Sequence, residues 1–99
     1  MFVKNVLKDK KYEKLLEIFT KAYERASVGK GKERHANGEA FENQLICSIP
    51  ERVGIGFNLG QALKKAYEQE RMNPEQAVNE LLDAINYLAA AIIVIENRK

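Results

Sequence analysis

Between Asp9 and Ser27 the apolar residues Tyr12, Leu15, Leu16, Phe19, Ala22, Tyr23 and Ala26 recur every three or four positions. Lys, Glu and Arg fill the gaps, which is the period of a helix with one apolar stripe. Asp9 is a cap for its start, with Asn5 as an alternative one turn earlier, and Gly29 ends it. The stretch VGKGKERHANG, Val28 to Gly38, has no apolar period and reads as a loop carrying Lys30, Lys32, Arg34 and the single histidine, His35. FENQLICSI, Phe41 to Ile49, regains apolar content and predicts a short helix before Pro50. Pro50 suits the first turn of a further helix from about Glu51 to Arg71, with Ile55, Leu59, Ala62, Leu63, Ala66 and Tyr67 as its apolar stripe. Its polar side carries Asn58, Gln61, Lys64, Lys65 and Glu68.

The last helix has the clearest start. Asn73 caps it, Pro74 takes the first position, Glu75 matches the dipole and Gln76 stands where it can reach back. It should run to about Asn97. No strand finds an alternating partner, so the pattern predicts one all-α domain over residues 1–99, a small bundle of three long helices and one short one.

The last helix also speaks to assembly. Val78, Leu81, Leu82, Ile85, Leu88, Ala89 and Ile92 share one broad face, expected to pack on the domain's own core. The other side carries Gln76, Glu80, Asp83 and Tyr87 and continues as Ala90, Ala91 and Val94. The second half is therefore apolar nearly all round, and a small domain can hardly surround one of its own helices. A homo-oligomer, dimer or tetramer, is the expectation.

Composition narrows the class. Sixteen basic and fourteen acidic side chains leave a net charge of +2, too little to draw nucleic acid by bulk charge. One cysteine, Cys47, excludes an internal disulfide and a Cys-based zinc site, and fits a reducing cytosol. The start MFVKNVLKDKKYEK has no secretory apolar stretch. The uncharged run Tyr87 to Ile95 is short of the roughly 20 residues a bilayer needs. The expectation is a soluble, cytoplasmic protein without a membrane partner.

Three features bear on chemistry. Glu80 and Asp83 stand one helical turn apart, a spacing at which two carboxylates hold a hard cation such as Mg²⁺. Solvated surface acids are the plainer reading, and a lysine from the preceding helix, Lys64 or Lys65, is the rival to a metal. The basic glycine loop could close over phosphates through Lys30, Lys32 and Arg34. Gly54-x-Gly56-x-x-x-Gly60 has the wrong third spacing for a dinucleotide fingerprint, and Gly29-Lys-Gly-Lys32 is no Walker loop.

The segments GKGKERHANGEAFENQ, GFNLGQALKKAYEQE and ELLDAINYLAAAIIVIE together resemble small phage-type proteins of the dATP/dGTP diphosphohydrolase and MazG-like group. The resemblance spans Val28 to Glu96. It implies an all-α nucleoside triphosphate pyrophosphohydrolase, a hydrolase working as a dimer or tetramer with Mg²⁺ on acidic pairs of adjacent helices. Glu80 and Asp83 resemble the group's second pair, E-x-x-D. The first, E-x-x-E, is not spelled out on the preceding helix, where Gln61 and Lys64, or Lys65 and Glu68, stand instead. On this reading Glu80, Asp83 and Glu68 hold Mg²⁺, and Lys30, Lys32, Arg34 and Lys64 or Lys65 hold phosphates. The competing expectation is a non-catalytic helical homo-oligomer that binds a protein or nucleic acid.

Overall fold

A computed structural model describes residues 9–28 and 38–98. Asp9 accepts from the Lys11 N–H at 3.0 Å and caps a 3₁₀ turn, Lys10–Tyr12, that runs into helix α1, Glu13–Ser27. A second 3₁₀ turn, Phe41–Asn43, precedes α2, Leu45–Val53. Helix α3 covers Gly56–Glu68 and tightens into a last 3₁₀ turn, Gln69–Arg71. Helix α4, Pro74–Glu96, starts as expected, with the Asn73 side chain accepting from the Gln76 N–H at 2.9 Å. Among the described residues no strand occurs, and the all-α expectation holds.

The middle of the chain breaks at a different place from that expected. Pro50 does not open the long helix but lies buried inside α2. The break comes at Gly54, whose φ of 96° and ψ of 158° belong to a region that only glycine enters cheaply. Its N–H closes α2 by donating to the Pro50 carbonyl at 2.8 Å. A proline inside a helix leaves the carbonyl four residues earlier without a donor. Here that carbonyl is Ile46, and the Asn58 side-chain amide of α3 donates to it at 3.1 Å. The same amide nitrogen donates to the Tyr87 carbonyl of α4 at 3.0 Å. Asn58 is 0% exposed and ties three helices together.

The core cluster is small: Cys47, Ala90 and Val94, with Phe41, Ile46, Ile55 and Ile93 packed against it. Ala22, Ala62, Leu82 and Ala91 complete the buried apolar set. The faces of the long helices are accordingly not those expected. Helix α4 turns Leu82, Ala90, Ala91 and Val94 inward, and leaves Val78, Leu81, Leu88 and Ile92, expected in the core, exposed. Helix α3 buries Asn58 and Ala62 and half-buries Lys65, while Leu59, Leu63 and Tyr67 face out. Of the α1 stripe only Ala22 is fully buried, and Leu15, Phe19 and Tyr23 are exposed. The contact of α3 with α4 is the most extensive between the described elements, and Ala90 packs against Cys47 of α2.

Candidate functional site

Polar side chains converge where α1, α3 and α4 meet. Asp83 on α4 receives the Arg25 guanidinium of α1 in a two-pronged bond, Nε to Oδ1 at 2.5 Å and Nη2 to Oδ2 at 3.1 Å. Lys65 of α3 enters from the other side, with Nζ 3.5 Å from Glu80 Oε2 and 3.7 Å from Asp83 Oδ2. All four side chains are about a quarter exposed or less. Two carboxylates one turn apart repel each other, and two cations placed between and beside them cancel that repulsion. The Asp83 hydrogen bond holds the Arg25 guanidinium above its ordinary value; burial works against it, and the charges of Asp83 and Glu80 add to the rise. One turn on, the Asn86 side-chain amide donates to the Ala22 carbonyl at 2.9 Å and seats α1 on α4.

Of the residues singled out by sequence, the structure brings together Glu80, Asp83 and Lys65. Lys64 and Glu68 are both exposed on α3. Lys30, Lys32 and Arg34 lie outside the described residues. The donor set does not suit a hard divalent ion: both carboxylates are engaged by cationic side chains, and Glu68 does not join them. Among the described residues no group of three His, Cys, Asp or Glu side chains comes together. Arg25 escaped the sequence reading because it is one of several basic residues on a helix flank. Nothing local distinguishes it from Lys21, which faces solvent.

Beside the ion cluster, α1, α4 and the turn before α2 enclose an open groove of about 660 Å³. Phe19, Tyr23, Phe41, Ile85 and Ile93 line it, with Asn86 and Gln44 as polar groups. Ser27 and Gly38 also line it.

The outer face of α4 is the larger feature. Val78, Leu81, Ile85, Leu88, Ile92 and Ile95 follow one another at spacings of three, four, three, four and three. Five of them are widely exposed: Val78 47%, Leu81 44%, Leu88 44%, Ile92 55% and Ile95 44%. No charged residue occurs between Asp83 and Glu96. By length and composition α4 could also cross a membrane, a property that core helices of soluble proteins share. Comparison with protein families, with curated proteins and with solved structures finds no match to the chain.

Proposed function

We propose that this chain is a non-catalytic helical assembly module, which self-associates through the outer face of α4. The observation that carries the reading is the outward direction of the large apolar side chains. Three long helices turn leucines, isoleucines and aromatic rings to solvent, and bury Ala22, Asn58, Ala62, Leu82, Ala90, Ala91 and Val94. The ion cluster supports the non-catalytic side of the reading, because Glu80 and Asp83 are neutralised within the domain by Arg25 and Lys65.

The test is mass in solution. Light scattering over a dilution series should give a dimer or larger for the wild type. Leu88→Glu and Ile92→Glu should give monomers with unchanged helical circular dichroism, since both positions are exposed in the single chain. Ala90 is the wrong place to probe association, because it is 0% exposed in the domain's own core and Ala90→Asp should unfold it. A wild-type monomer at every concentration would refute the proposal.

The groove favours a second reading, a divergent pyrophosphohydrolase-like protein that binds a nucleotide. Phe19, Tyr23 and Phe41 offer rings on which a base could stack, with Asn86 and Gln44 as polar groups beside them. A nucleotide panel with Mg²⁺, followed for pyrophosphate and monophosphate release, decides this reading. Release of either product above the blank would establish it over the first.

A further inference from the structure

We infer that the groove between α1, α4 and the turn before α2 binds an organic cation, a substituted ammonium ion held by Phe19, Tyr23, Phe41 and Glu39. This goes beyond both readings above and does not depend on the assembly. At about 660 Å³ the groove falls within the roughly 300–1,000 Å³ of small-molecule sites. Phe19 and Tyr23 stand four residues apart on α1, so both rings rise from one helix face. They remain 51% and 71% exposed in the folded chain, which leaves their rings available to a ligand. Phe41 enters from the turn before α2 and is held in place by packing on the core cluster. Ile85, Ala89 and Ile93 of α4 add apolar wall.

The charge of the lining selects the ligand. Among the described residues that line the groove, Glu39 is the only charged one. No lysine or arginine stands with it, and Arg25, on the same helix as Phe19 and Tyr23, is engaged by Asp83. Asn86 and Gln44 donate to the Ala22 and Glu39 carbonyls, at 2.9 and 3.0 Å. Both amides are thereby anchored without adding charge, and the second bond ties down the backbone that bears Glu39. The face of an aromatic ring carries the negative part of its quadrupole. Rings together with one carboxylate favour positive charge, whereas an anionic ligand meets repulsion. An alkylated ammonium suits such a site better than a hard metal ion. Its methyl groups gain by burial against rings and isoleucines, while a hard ion wants several oxygen ligands.

The full chain is titrated with benzyltrimethylammonium, with the uncharged tert-butyl phenyl carbinol of nearly the same shape, and with phenylacetate. Backbone amide NMR shifts at Ala22, Phe41 and Asn86 locate the bound molecule. The cation should bind about tenfold more tightly than the carbinol, and phenylacetate most weakly. Glu39→Gln should weaken cation binding about threefold at low salt and leave the carbinol unchanged. Tyr23→Leu keeps an apolar side chain and removes the ring face, so it should lower the preference for cation over carbinol. Both side chains are exposed, so neither change should unfold the chain, and circular dichroism checks this. Equal affinity for cation and carbinol would overturn the inference and leave an indifferent apolar groove. A cation that moves no groove resonance at millimolar concentration would overturn it as well. Tightest binding of phenylacetate would also overturn it, and would favour the nucleotide reading instead. Mass in solution tests the assembly reading separately, so failure of one is not failure of the other.

Discussion

Asn58→Leu should destabilise the protein by an amount that depends on whether residue 50 is proline. Asn58 Nδ2 supplies two hydrogen bonds, to Ile46 O at 3.1 Å and Tyr87 O at 3.0 Å. The two are not equivalent. Tyr87 lies inside α4, where its carbonyl also accepts within the helix, so losing Asn58 there costs about 1 kcal/mol. Ile46 O faces Pro50, which has no N–H, so its loss leaves a buried carbonyl orphaned at a cost of about 1–3 kcal/mol. One gain works the other way. Asn58 Oδ1 is itself buried without a partner, and removing it returns about 1 kcal/mol. The net cost is about 2 kcal/mol, or roughly 10 °C in melting temperature for a domain of this size. In a Pro50→Ala background, residue 50 regains an N–H aimed at Ile46 O, and Asn58→Leu should cost about 1 kcal/mol or less. Urea unfolding of all four proteins at one fixed concentration, followed by circular dichroism, gives the coupling energy. A coupling near zero would show that Asn58 does not act as donor to the Ile46 carbonyl, and the account of the α2 proline would fail.

Other outcomes test the remaining parts of the structure. Asp83→Asn should cost about 2 kcal/mol by leaving Arg25 and Lys65 partly buried without their shared partner; Mn²⁺ should leave the wild-type melting curve unchanged, and a rise abolished by Asp83→Asn would establish a metal there instead. Gly54→Ala should destabilise by about 2 kcal/mol because of its positive φ. Gly60→Ala, at a helical position with open space around the added Cβ, should stabilise by about 0.5–1 kcal/mol; the opposite pair of signs in urea unfolding would contradict the backbone assignment. Burial raises the Cys47 thiol, and Glu51 and Glu42 add to the rise. The unfolded chain therefore loses the thiol proton first. The stability this proton confers is fully present below the ordinary thiol value of 9.0 and is lost as pH climbs through the raised one. Cys47→Ala should flatten that part of the alkaline loss in unfolding free energy, and an unaltered slope would count against the burial.

Local chemistry alone determined where α4 begins and where the 3₁₀ turn ahead of α1 begins. Asp9 and Asn73 cap because their oxygens meet N–H groups two or three residues away, and Pro74 needs no donor at the first position. Helix type was equally legible, since a period near 3.6 is written in the spacing itself. The facing of those helices was not. A stripe of leucines marks a surface that wants burial without saying whether its own domain or another copy will bury it. In α4, where residues 84–95 carry no charge, neither face is excluded by the residues alone. Tertiary packing decided, burying Leu82, Ala90, Ala91 and Val94 and leaving Leu81, Leu88 and Ile92 exposed. It likewise converted Pro50 from a helix start into a helix interior residue, because Asn58, twelve positions along the chain from Ile46, supplies the donor. Arg25 and Asp83 became a pair only when α1 crossed α4, across a separation of 58 residues that no local pattern spans.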